Sequence, residues 1–323
     1  MIDYSKFPHD HPRKKNTLVK FLLLLIAITS FLYIFSGRLL GDSRQASEFV
    51  SPLAQGIIEK GAAFLNPDEN STDLEKIVHQ ELRNSQGEYA VAIKNLQTGE
   101  RYYFNEQEVF DAASLYKLFV MATVYQKIQD GNLTKTKMLS QKIPTLNQKF
   151  KISSESAELK EGSITLPVES ALTRMITISD NYSALLLAEN VRLSKVSTFL
   201  KKNSFTGSSM GTGGNAPATT ASDMTSFFQK LYKGELTSVD GSSEMLLLLR
   251  HQQLNSKLPK YLPPNTRIAH KTGELGRLSH DAGIVYTQKG DYIIVVLSDT
   301  NIPANANEKI ADISKAVYDY FTR

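Results

Sequence analysis

The chain has 323 residues, with 37 Lys and Arg, 33 Asp and Glu, and neither Cys nor Trp. That length suits one large domain or two small ones, and the lack of cysteine excludes disulfides, thiolate metal sites and cysteine nucleophiles. The formal net charge of +4 comes from the start of the chain, where residues 1–44 hold seven basic and three acidic residues and leave 30 of each elsewhere. The basic balance is therefore no sign of nucleic acid, and no nucleic-acid partner is expected. The six histidines are scattered without helical zinc-ligand spacing, so neither a metal nor another cofactor is expected.

Residues 18–35 form the only long apolar run. With its flanks it approaches the roughly 20 residues a helix needs to cross a bilayer. Arg13, Lys14 and Lys15 precede it, which keeps that end in the cytoplasm. A cleaved signal peptide competes, but no small-x-small site follows the run. The expected organisation is a cytoplasmic N-terminus (1–17), a single membrane anchor (18–37), a tether (38–70) and an extracytoplasmic domain (71–323). The membrane is thus an expected partner through the N-terminal helix.

The domain is predicted to open with a helix capped by Ser71, with Leu74, Ile77, Val78 and Leu82 as its apolar stripe. Alternation over 89–94, a turn at 95–99 and a return over 101–104 predict a hairpin. The run 118–125 has no Gly or Pro and reads as a buried helix, with Ser114 in its first turn. A polar, irregular region extends to about Gly162. A helix is predicted over 166–178, with Pro167 tolerated in its first turn. Further helices are read through Leu200, over 222–231, over 244–252 and over 308–320. Strands are read at 267–272, 283–287 and 292–298. Two early strands, a helical block, then three strands and a helix predict a two-lobed α/β domain. Its antiparallel sheet of about five strands is built from both ends, and the helical block forms a second lobe.

Within Ala-Ala-Ser-Leu-Tyr-Lys, residues 112–117, Ser114 and Lys117 share one helix face. A lysine whose charge is disfavoured by burial can take the proton of a serine nucleophile. Such a pair occurs by chance about once in a chain of this size. Two more motifs follow: Ser179-Asp180-Asn181, and Lys271-Thr272-Gly273 preceded by His270. The three in this order, each on a suitable element, resemble the class A β-lactamase-like, penicillin-recognising serine hydrolases from about Ser71 to Arg323. The resemblance implies the β-lactamase/transpeptidase-like fold, and an acyl-enzyme formed with a β-lactam or a D-Ala-D-Ala-type peptidoglycan stem peptide. It further implies Ser114 as nucleophile, Lys117 as base and Ser179 as proton carrier to the leaving nitrogen. Asn181 would bind a substrate amide, and Lys271 and Thr272 a carboxylate. Lys271 would also keep Lys117 less protonated. Gly273 would let substrate lie against the strand, and the N–H groups of Ser114 and Glu274 would form the oxyanion hole. Asp180 reads as structural, and His270 and His280 as structural or solvated.

One departure matters. Hydrolytic class A enzymes carry a water-activating Glu between the second and third motifs. Here residues 201–220 contain no acid, and the next is Asp223. Acylation keeps its groups, whereas deacylation lacks its expected base. Slow turnover is expected. The alternatives are a true β-lactamase with a displaced base, Glu158 or Glu161, and a non-turnover module that captures β-lactams or wall fragments.

Overall fold

The computed structural model describes residues 71–211 and 215–323. The predicted anchor and tether lie outside them. Among the described residues no helix is long and apolar enough to cross a membrane.

Helix α1 (Thr72–Glu81) starts where Ser71 accepts the Leu74 N–H, as its capping sequence predicts. Strands β1 (Glu88–Asn95) and β2 (Arg101–Phe104) form the early hairpin. At the other end of the chain lie β7 (Arg267–Leu275), β8 (Leu278–Tyr286), β9 (Tyr292–Asp299) and helix α9 (Pro303–Thr322). The five strands form one antiparallel sheet in the order β2-β1-β9-β8-β7. The last strand is therefore central, and β7 is an edge.

Alternation divides the core between the two faces of this sheet. Tyr89, Val91, Ile93, Ile294 and Val296 pack with Leu74, Val78, Ile310, Ile313 and Val317 of α1 and α9. Ala90, Ala92, Ile293, Val295 and Leu297 face the helical lobe. There, α2 (Tyr116–Gln129) is buried at every position from Lys117 to Tyr125, so its sequence is apolar all round instead of striped. Around it lie α4 (Val168–Thr177), α5 (Asn181–Val191), α6 (Leu193–Lys202), α7 (Ala221–Tyr232) and α8 (Val239–Arg250). Phe119, Phe199, Phe205 and Phe227 meet at 5.8–6.2 Å, anchoring the start of the 203–220 loop to this core.

The two-lobed reading holds, and several boundaries move. The region before Gly162 is not wholly irregular. It contains strand β4 (Met138–Lys142) and helix α3 (Ile143–Lys149), and β4 pairs with β5 (Ser163–Pro167). Leu166 and Pro167 thus end a strand, and the helix predicted from 166 begins at Val168 with Pro167 as its N-cap. Pro167 donates no N–H, which a strand end tolerates as well as a helix start. The helix predicted over 244–252 starts earlier, at Val239, capped by Ser238 onto Gly241 N–H. The terminal helix starts at Pro303 instead of 308. Arg192 has φ 70°, and this left-handed residue divides α5 from α6. A short pair, β3 (Phe110–Asp111) with β6 (Ala218–Thr219), was too brief to read from alternation.

Candidate active site

Strand β3 runs into the nucleophile motif. Ala112 N–H donates to Pro217 O at 2.7 Å, and His280 Nε2 lies 2.9 Å from Asp111 O. These contacts pin both sides of the chain just before Ser114. Ala113 has φ 42°, a left-handed conformation costly for a residue with a Cβ. Ser114 lies in a 3₁₀ turn (Ala113–Leu115) that feeds α2, one step earlier than a regular first turn. The turn packs against β7, and Ser114 is half-buried.

Lys117 is fully buried. Its Nζ donates to Ser179 O at 2.5 Å, Asn181 Oδ1 at 2.7 Å and Ser179 Oγ at 3.2 Å. Lys271 Nζ donates to the same Ser179 Oγ at 2.9 Å. The Ser179 hydroxyl therefore stands between two lysines, on a residue with φ 59°. Asp180 caps α5 through Ser183 N–H at 2.7 Å and pairs with Arg174 at 3.1 Å, as its structural reading requires. Burial brings the Lys117 pKa down to about 8, against the opposing charges of Asp180 and Glu158. Burial, then the charge of Lys117, holds Lys271 well below the ordinary lysine range. Repulsion between the two ammonium groups is mutual, so only one of them is readily protonated at a time, and burial is the main cause at both. A neutral lysine amine can serve as a base toward a serine hydroxyl; the bonds of Lys117 go to Ser179 and Asn181, and none goes to Ser114.

On β7, Lys271, Thr272 and Gly273 are buried side by side. A Cβ at Gly273 would lie 3.2 Å from His280 Cδ2 and 3.3 Å from Ala112 O, so a side chain there would press on the nucleophile segment. Glu274 follows, its side chain paired with Lys257 at 2.8 Å. Lys257 is fully buried and also donates to His280 O at 3.0 Å and Gly273 O at 3.3 Å. It fixes the strand segment that carries Gly273 and Glu274. Sequence reading missed it because a lysine in a Pro-flanked loop looks like any solvated lysine. His270 is held by Asp281 at 2.9 Å, behind the lysines.

His280 is buried, with Nε2 on Asp111 O and Nδ1 3.1 Å from Ser298 N–H. That pairing fixes a neutral imidazole with its proton on Nε2. Burial lowers its pKa from 6.5 to about 4. The unfolded chain takes up this proton below pH 6.5 and the folded one does not. Stability is therefore intact above pH 6.5 and falls as pH drops toward 4. Between pH 6.5 and 5 the expected loss is about 2 kcal/mol. Urea unfolding at both pH values measures it, and His280→Gln is expected to flatten that slope.

The loop after α6 offers no carboxylate, as the sequence already shows. Asp223 is on α7 and accepts from Ser208 Oγ at 2.7 Å, so it is occupied in holding the loop. The acid near the motifs comes from elsewhere: Glu158 Oε1 accepts from Asn181 Nδ2 at 2.5 Å. Among the described residues there is no cluster of His, Asp and Glu able to hold a metal ion.

A buried lysine three residues after Ser114, a second serine between two lysines and an edge strand beside them are the geometry on which the comparisons bear. Residues 72–321 match the beta-lactamase enzyme family, and the chain belongs to it. It is a serine hydrolase of the class A β-lactamase or penicillin-binding-protein kind. Beta-lactamase VEB-1 of Pseudomonas aeruginosa is 26% identical over 265 residues, covering 74% of this chain and 87% of that one. The structure of PBP-A superposes with TM-score 0.70 at 21% identity, covering 80% of this chain and 99% of PBP-A. A β-lactamase from Sphaerobacter thermophilus gives 0.67 at 23% identity, covering 77% and 97%. The two structural likenesses establish the fold.

Proposed function

We propose that this chain is a membrane-anchored, extracytoplasmic acyl-transfer enzyme that forms a slowly hydrolysed ester on Ser114 with β-lactams. Its natural substrates are D-Ala-D-Ala-type peptidoglycan stem peptides. One observation carries the reading: Lys117, Asn181 and Lys271 converge around Ser179 while the 201–220 loop has no carboxylate to activate water. In this reading neutral Lys117 takes the Ser114 proton as Oγ bonds to the carbonyl carbon. The proton then passes through Ser179 Oγ to the leaving nitrogen as the C–N bond breaks. Asn181 holds the acyl-side amide, Lys271 and Thr272 hold the carboxylate, and the N–H groups of Ser114 and Glu274 hold the oxyanion. A mutant of PBP-A is known as an acyl-enzyme with penicillin G, which supports a β-lactam as the probe.

The location is read from the basic cluster before residues 18–35. Losing a positioned base costs about 100- to 10,000-fold in rate. Intact-mass and stopped-flow measurements with a penicillin are expected to show one equivalent bound in a burst, then an adduct persisting for minutes. Steady rapid hydrolysis without an accumulating adduct would favour the β-lactamase reading, for which the names of VEB-1 and the family speak.

A further inference from the structure

Glu158 is an exposed charged group near the motifs that the acylation chemistry does not use. It lies on an exposed turn before β5, yet its place is built. The neighbouring Leu159 is clamped to the helical lobe, its N–H donating to Tyr182 Oη at 3.1 Å and its carbonyl accepting from Asn147 Nδ2 at 2.8 Å. Tyr182 is buried and directly follows Asn181. The clamp sets the Glu158 backbone over the start of α5 and leaves the side chain in solvent. Among the described residues, the one hydrogen bond its carboxylate makes is from Asn181 Nδ2, at 2.5 Å.

Asn181 thus has two occupied ends: Oδ1 accepts from Lys117 and Nδ2 donates to Glu158. The proposed function gives that same Nδ2 to the substrate amide carbonyl. We propose that Glu158 is a plug displaced by substrate: its carboxylate stands against the Asn181 amide NH2, where the substrate's amide carbonyl would dock, and its departure removes a negative charge that favours protonated Lys117. The inference rests on the acyl-transfer reading above.

The groups around Lys117 support the coupling. Ser179 and Asn181 face it with neutral oxygens, Lys271 faces it from β7, and Asp180 and Glu158 are the carboxylates whose charge reaches it. Of the two, Asp180 cannot leave, because Ser183 N–H and Arg174 hold it. Glu158 has one bond to break. Glu158 also adds to the upward shift that burial gives the Tyr116 phenol, which places its charge beside the nucleophile helix. When substrate takes Asn181 Nδ2, the displaced carboxylate moves into solvent and Lys117 releases its extra proton to water. The amine is then ready to accept the proton of Ser114. The base is thereby favoured in the complex over the free enzyme.

The test compares full-length wild type with Glu158→Gln, which keeps a carbonyl for Asn181 and loses the charge. The second-order rate of labelling by a fluorescent penicillin is followed from pH 5.5 to 9.5, with the lifetime of the adduct measured in parallel. The expected result is a midpoint shifted to lower pH, labelling at pH 6.5 faster by about three- to tenfold, and an unchanged adduct lifetime. An identical profile overturns the proposal. So does a uniform increase at every pH, which would reflect only repulsion of an anionic drug. A shortened-lived wild-type adduct that Glu158→Gln makes persistent also overturns it, by making Glu158 the hydrolytic base. Wild type that never labels would instead sink the acyl-transfer reading itself.

Discussion

Ser114→Ala is expected to abolish covalent labelling by a penicillin while leaving the fold intact. Ser114 is half-buried, and its hydroxyl makes no hydrogen bond to a described residue. Removing it therefore leaves no buried partner unpaired, and stability is expected to change by less than about 0.5 kcal/mol. The proposed chemistry depends on it entirely. Removal of the nucleophile from a serine hydrolase costs on the order of a millionfold in the chemical step, and no covalent adduct can form. Gel fluorescence and intact mass read the result directly. A one-equivalent adduct on Ser114→Ala would mean that the organising motif had been misassigned.

Lys117→Ala is expected to do two separable things. Acylation is expected to slow by about 100- to 10,000-fold, the usual worth of a positioned base. The domain is also expected to lose about 1–3 kcal/mol, because Ser179 O and Asn181 Oδ1 are left facing a cavity without their donor. The pH profile separates the effects. In the proposed mechanism the reactive form is the neutral amine, and burial brings the Lys117 pKa down to about 8. Labelling is therefore expected to climb as pH rises through 8 and to level off above it. In Lys117→Ala the residual rate is expected to lose that rise. A wild-type profile flat from pH 6 to 9 would remove Lys117 from the role of base.

The three motifs could be read because their chemistry is concentrated in a few residue types at short spacing, on elements with strong periodicity. The sheet built from both ends followed from strand order alone, since Tyr89–Lys94 alternates and the last strands are densely apolar. Harder to read was whatever depends on distant pairing. Lys257 becomes legible only when β7 and β8 meet and two carbonyls converge on it. Glu158 was visible as a nearby acid, but its bond to Asn181 depends on the clamp of Leu159 by Tyr182 and Asn147. Strands β4 and β5 were hidden because Met138, Ser140 and Lys142 are exposed and leave a single buried residue, Leu139, to mark the pattern. The break at Arg192 has no local signal, because arginine does not favour positive φ.

The place of β9 in the sheet governs the order in which the chain can become a protein. Ile93 on β1 finds its neighbour in Ile294, about 200 residues further along. A chain emerging from a ribosome holds β1 and β2 as an unpartnered hairpin until nearly the whole polypeptide has appeared. Hairpins of that size are marginal alone in water. Folding is therefore expected to complete late, with a high share of non-local pairing that slows it. The same geometry makes premature stops before Tyr292 all-or-none. Such a product lacks the strand that joins both halves, and it leaves the β1 and β8 edges open to pair with other chains.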